Sequence, residues 1–154
     1  MKVLFVCLGN ICRSPTAEGV FRRALEQAGM AGQVEIDSCG VGNWHVGKAP
    51  DARAQQAALS RGIDITALRA RQLSAQDFVD FDYVLGMDQD NVSAMRQLKP
   101  ANSQAHVGLL LDFAGTPGGE VPDPYYGGEE GFENVLNMIE AASDGLIQHL
   151  KRER

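Results

Sequence analysis

Cysteine is scarce in this chain: three among 154 residues, at Cys7, Cys12 and Cys39. A small odd count does not build the disulfide framework of a secreted domain, so a reduced, cytoplasmic setting is the expectation. Histidine is equally rare. His45, His106 and His149 show no metal-ligand spacing with the cysteines, and no metal or other cofactor is implied. Basic residues are outnumbered, 14 Lys and Arg against 20 Asp and Glu. The net charge of −6 leaves no basic stripe for nucleic-acid phosphates, and Lys151-Arg152 with Arg154 read as a solvated end. No apolar window reaches the length of a membrane span, and Met1-Lys2 leads into a strand pattern rather than a signal peptide. No repeat, linker or break in composition appears. Residues 1–154 therefore read as one domain, long enough to bury a substantial core.

What is present is an alternation of short apolar runs and helical stripes. Lys2 to Val6 read as a buried strand. Ser14 and Pro15 have the character of an N-cap and a first-turn proline, and Ala17, Val20, Phe21, Ala24, Leu25 and Ala28 fall on one helical face behind them. Gly29 to Gly32 stop that helix, and Val34 to Ser38 form a second strand. Cys39 to Ala49 are a Gly-rich loop with the single tryptophan, Trp44. A helix from Pro50 through Arg61 is closed by Gly62. Ser74 to Asp77 resemble a capping box for a short helix. A third strand covers Asp82 to Gly86, a helix Asn91 to Leu98, and a fourth strand Val107 to Leu111. After a long loop from Phe113 to Gly128, a helical stripe runs from Phe132 to Leu150. Strands separated by helices predict an α/β, doubly wound, three-layer domain: a central four-stranded parallel sheet with helices on both faces. Ligands of such sheets bind beyond the carboxyl ends of the strands, and loops carrying Cys7, Trp44 and Asp123 all leave strands at that edge.

The first of these loops carries the chemistry. Cys7-Leu8-Gly9-Asn10-Ile11-Cys12-Arg13-Ser14 joins the first strand to the first helix. The same letters suit an ordinary turn, since Gly9 and Asn10 are common turn residues. Their position on the N-terminus of an amphipathic helix favours an anion instead. Backbone N–H groups of Leu8 through Arg13 can surround a tetrahedral dianion while the Arg13 guanidinium forks onto two of its oxygens. The same field favours a thiolate on Cys7, aimed at the centre of that anion. Ser14 can cap the helix, donate to the Cys7 sulfur, or do both. An aryl leaving group with a pKa of about 10 needs a proton, and Asp123, between Pro122 and Pro124, is the best candidate to give it. Asp88 and Asp112 are its rivals; Asp88 reads as a helix cap. Trp44, Tyr125 and Tyr126 are candidate walls of an aromatic slot, and His45 adjoins Trp44.

The segment Cys7 to Pro15, with Asp123-Pro124-Tyr125 late in the chain, resembles the low-molecular-weight protein tyrosine phosphatases, over essentially the whole length. The resemblance implies phosphotyrosine hydrolysis without a metal, through a phosphocysteine on Cys7, with Arg13 holding phosphate and Asp123 as general acid and base. It implies that Asn10, Ser14 and Ser38 brace the loop and that Cys12 protects Cys7 by a reversible disulfide. It also implies that Tyr125 and Tyr126 line the cleft, that they are phosphorylatable, and that Trp44 influences substrate preference. A phosphotyrosine protein such as a bacterial tyrosine kinase is the implied partner, and a monomer or weak dimer the implied state. One departure stands out: many relatives have a histidine two residues before the Ala-Arg-Gln that is here Ala70-Arg71-Gln72, and this chain has Leu68. Arsenate reduction on a similar loop would need further relay cysteines, and none follows Cys39. A silent phosphate-binding module would need neither Cys7 nor Asp123.

Overall fold

The computed structural model of the chain describes residues 1–125 and 128–153. Four strands form one parallel sheet: β1 (Lys2–Cys7), β2 (Glu35–Gly40), β3 (Tyr83–Gly86) and β4 (His106–Leu109), in the order β2-β1-β3-β4. The chain runs from β1 to β2 on one side and then crosses back over β1 to reach β3 on the other. The carboxyl ends of β1 and β3 therefore flank the switch point, where the loops diverge and leave a crevice.

Period-two alternation in β1 sorts its side chains between two cores. Val3, Phe5 and Cys7 belong to the larger one, with α1 (Arg13–Gln27), α2 (Ala52–Leu59) and α5 (Glu129–Arg152). Leu4 and Val6 face the smaller one, with α3 (Asp77–Asp80) and α4 (Gln89–Leu98). The fold is thus the expected three-layer α/β arrangement. Phe5 and Phe21 meet edge to face at 5.6 Å, joining sheet and helix where both side chains are fully buried. Burying each such ring contributes about 1.5–3 kcal/mol. Gly145 lets α5 lie directly on the carbonyl of Phe113; a Cβ there would overlap that backbone.

Several boundaries differ from expectation for identifiable reasons. Helix α1 begins at Arg13, with Cys12 at its N-cap, so Ser14 lies inside the first turn. Its hydroxyl cannot cap because it is held by Asn10, Cys7 and Cys39. Helix α2 starts after Pro50 because the Asp51 side chain accepts from the Arg53 N–H and caps the helix. The fourth strand ends at Leu109, since Leu110–Ala114 wind into a 3-10 turn that sinks Leu110 and Leu111 into the larger core. Asp77 does reach back to the Ser74 N–H at 2.9 Å, but its carboxylate is taken mainly by Arg71, at 3.0 and 3.1 Å. Asp88 caps α4 in a reciprocal capping box with Asn91, and the helix accordingly starts at Gln89.

Candidate active site

Cys7 is the last residue of β1 and is 3% exposed. The backbone turns sharply at Asn10, the one described non-glycine residue with positive φ, at 58°. That turn brings the Asn10 N–H to 3.3 Å from the Cys7 sulfur, and the Ser14 hydroxyl to 3.0 Å. The Asn10 N–H donates to the sulfur, while the single Ser14 hydroxyl proton can go to the sulfur or to the Cys39 carbonyl at 3.2 Å. Beneath the loop lies Gly40, where a Cβ would press on the backbone of Leu8, Gly9 and Asn10 at 3.0 Å each. The end of β2 can therefore support the loop closely only with bare backbone.

A buried polar network braces the turn. The Asn10 amide nitrogen donates to Ser14 Oγ at 2.8 Å and Ser38 Oγ at 3.1 Å, while its oxygen accepts from the Arg71 N–H at 3.0 Å. The Ser38 hydroxyl donates in turn to Glu18 at 2.8 Å. Burial raises the Glu18 pKa, against the opposing bond from Ser38 and the nearby charge of Arg22. Leu68 packs against the larger core, and the backbone of Arg71 is what meets Asn10. Arg71 is itself fixed by Asp37 at 2.9 Å and by Asp77.

Arg13 is 3% exposed. Its Nη1 donates to Asp88 at 2.6 Å and to the Val121 carbonyl at 3.0 Å, which sets the plane of the guanidinium. Nη2 faces the Asp123 carboxylate at 3.8 Å. Asp88 thus caps α4 and holds Arg13 as well. Asp112 accepts from the Gly118 N–H within its own loop. The carboxylate that lines the cavity with Cys7 is Asp123, whose Oδ1 also accepts from the Tyr125 N–H at 3.0 Å. The cavity measures about 310 Å³ and is walled by Leu8, Ile11, Trp44, His45 and Tyr125, with Cys7, Cys12 and Arg13 at its base. Trp44 is 63% exposed, so it forms the rim. Tyr126 lies outside the described residues.

A family model described as low molecular weight phosphotyrosine protein phosphatase matches residues 2–154. The chain belongs to this family. It is a protein tyrosine phosphatase, a hydrolase acting on phosphotyrosine. The low molecular weight phosphotyrosine protein phosphatase of Schizosaccharomyces pombe is 50% identical over 153 residues, covering 97% of each chain. The crystal structure of a protein tyrosine phosphatase from Entamoeba histolytica superposes with a TM-score of 0.94 at 38% identity, over 99% of this chain and 98% of that one. DARP, a drosophila arginine phosphatase, superposes at 0.91 with 33% identity, covering 98% of each.

The phosphatase brings together Cys7, the loop through Ser14, Asp123, Trp44 and Tyr125, and it places Asn10, Ser14 and Ser38 in one network. Cys7, Cys12 and Cys39 are all free thiols. Burial, with the charges of Asp51 and Cys7, pushes the Cys12 pKa up to about 12, and burial raises that of Cys39 as well. Sequence reasoning missed Glu18, Arg71 and the second role of Asp88. Glu18 lies one turn beyond Ser14 on the buried face of α1, a helical-spacing signal that was available. His45, beside Trp44 in sequence, also lines the cavity, with its imidazole next to Gly9. Among the described residues no helix is long and apolar enough to cross a membrane.

Proposed function

We propose that phosphotyrosine hydrolysis here proceeds through a phosphocysteine on Cys7, with residues 1–154 acting as one phosphatase domain. The observation that carries this reading is that the Cys7 sulfur, the Arg13 guanidinium and the Asp123 carboxylate line one cavity. The Cys7 thiolate attacks phosphorus, an S–P bond forms and the bond to the aryl oxygen breaks. Asp123 delivers the proton that the departing tyrosine oxygen needs. Arg13 and the N–H groups of Leu8, Gly9, Asn10, Ile11, Cys12 and Arg13, with Ser14 at the end of the loop, bind the equatorial oxygens and stabilise their charge. In the second step water attacks phosphorus, Asp123 takes its proton, and the S–P bond breaks to return the thiolate. The Ser14 hydroxyl, 3.0 Å from sulfur, stabilises that leaving thiolate. Asn10 and Ser38 hold Ser14 in place.

Trp44 and Tyr125, with Tyr126 beyond the described residues, form the slot that receives the tyrosine ring. Cys12 serves as the redox partner of Cys7. The substrates are phosphotyrosine proteins, a tyrosine kinase of bacterial type among them. The enzyme works in the cytoplasm, where thiols stay reduced, as a monomer or weak dimer. Because DARP is an arginine phosphatase, phosphoarginine is the competing substrate; the apolar walls Leu8, Ile11 and Trp44 suit an aryl ring better than a guanidinium.

The test is hydrolysis of phosphotyrosine, phosphoarginine and a small aryl phosphate by wild type, Cys7→Ser and Asp123→Asn. Turnover that vanishes in Cys7→Ser, with phosphotyrosine preferred to phosphoarginine, is expected. Full activity in Cys7→Ser would overturn the mechanism, and a preference for phosphoarginine would reassign the substrate.

A further inference from the structure

We infer that Arg53 is a positioning residue for the acid: it clamps the Asp123 loop, through the ring of Tyr125, to the helix end that also holds the phosphate-binding loop. The inference rests on the assignment of Asp123 as general acid. Nothing in the sequence pointed to it, because Arg53 is an exposed residue in the first turn of α2.

The contacts form one continuous path. The Asp51 N–H donates to the Ile11 carbonyl at 2.8 Å, anchoring the start of α2 to the loop that carries Cys7 and Arg13. The Asp51 carboxylate then grips Arg53 on both edges. Oδ1 accepts from the Arg53 backbone N–H at 2.8 Å and from Nε at 3.1 Å, and Oδ2 accepts from Nη2 at 3.1 Å. That fork fixes the guanidinium plane. The guanidinium carbon lies 5.3 Å from the centroid of the Tyr125 ring and 5.1 Å from that of Phe132, within cation–π range of both. Phe132 is buried in α5, so the stack is seated on the core. Tyr125 completes the path, since its N–H donates to Asp123 Oδ1.

The acid loop has reason to need such a clamp. Pro122 and Pro124 flank Asp123 and offer no N–H donors. A described backbone tie close before it is the Val121 N–H on the Met87 carbonyl at 2.8 Å. Besides the Arg13 guanidinium at 3.8 Å, what positions the carboxylate is the Tyr125 N–H, and so whatever holds Tyr125. An exposed ion pair such as Asp51–Arg53 contributes little to global stability. Its effect belongs in geometry: it keeps the acid and the nucleophile loop in one register.

The experiment measures kcat/KM for a series of aryl phosphates, from good leaving groups to phosphotyrosine. The enzymes are wild type, Arg53→Ala, Arg53→Lys, Tyr125→Leu, Asp123→Asn and the double variant Arg53→Ala/Asp123→Asn. A misplaced acid penalises poor leaving groups most. Arg53→Ala should lose about tenfold on phosphotyrosine and about twofold on the best leaving group, as expected for a small misplacement of a catalytic group. Its melting temperature should stay close to that of wild type. Tyr125→Leu should steepen the leaving-group dependence in the same sense, and Arg53→Lys, which keeps the charge without the planar fork, should fall between. In the double variant the Arg53 change should add nothing to Asp123→Asn. An equal loss on every substrate, or a full Arg53 effect on top of Asp123→Asn, would overturn the proposal. A flat leaving-group series for Asp123→Asn would instead remove the acid assignment itself.

Discussion

Replacing Asn10 should be the most damaging change that leaves every reacting group in place. The side chain makes three hydrogen bonds, buried ones to Ser14 Oγ and Ser38 Oγ and a part-buried one from the Arg71 N–H. Each contributes about 1 kcal/mol net, so removing them costs about 3 kcal/mol, and more if the part-buried Arg71 N–H finds no other acceptor. The backbone adds a second penalty. Asn10 has a φ of 58°, where a left-handed alanine costs about 1–2 kcal/mol. Glycine escapes that strain but loses about 0.5–1 kcal/mol more chain entropy on folding. Asn10→Ala and Asn10→Gly should therefore both lose about 3 kcal/mol or more in urea unfolding, with alanine the worse by about 0.5–1 kcal/mol. Both should also lower kcat/KM on a small aryl phosphate, because Ser14 would no longer be held against sulfur. Equal destabilisation in the two variants would refute the strain argument. A loss below about 1 kcal/mol in both would refute the brace.

Burial keeps Cys12, with its pKa pushed up to about 12, and Cys39 as protonated thiols at neutral pH. Brief alkylation with iodoacetate should thus mark Cys7 alone by mass spectrometry, and labelling mainly at Cys12 would contradict the assignment. Glu18 is raised by burial, so the folded protein binds its proton more tightly than the unfolded chain does, and stability is lost as pH rises through the window above the ordinary carboxylate value. Glu18→Gln stays neutral and still accepts from Ser38, so its stability relative to wild type should improve as pH rises above the ordinary glutamate value of about 4.3; a constant difference would refute this. Gly145→Ala would drive a methyl into the Phe113 carbonyl, and thermal unfolding should show a loss of about 1–3 kcal/mol. An unchanged melting temperature would mean that α5 shifts freely.

Much of this molecule was legible as a string because its signals are local. The apolar run Val3 to Val6 is a strand buried on both faces, and the stripe from Phe132 to Leu150 is a helix with one face on the core, as their patterns read. Gly29 and Gly62 stop helices at positive φ, as their positions suggested. What misled was local chemistry overruled by a distant partner. Ser14 has the letters of an N-cap, yet its hydroxyl is drawn away by Asn10, Cys7 and Cys39, so the helix starts one residue before it. Leu110 and Leu111 have the letters of a strand, yet they leave the sheet because the larger core accepts their side chains there.

The sequence by itself determined the parallel sheet and the strand-to-helix loop, and it named the candidates for the chemistry. Periodicity and the five-residue gap between Cys7 and Arg13 act over a few residues, where the backbone leaves few options. Only the tertiary structure decided which carboxylate joins the thiol. Asp123, between its two prolines, is the best candidate in the string, but Asp88 and Asp112 at strand ends remain rivals there. Folding turns Asp88 onto Arg13, ties Asp112 to its own loop, and leaves Asp123 lining the cavity. It also decided what surrounds the site: the Arg71 N–H donates to Asn10, Glu18 of α1 accepts from Ser38 beneath it, and Arg53 of α2 lies over the Tyr125 ring. Such contacts join residues far apart in the chain, and they exist only once the packed core has fixed where each element sits.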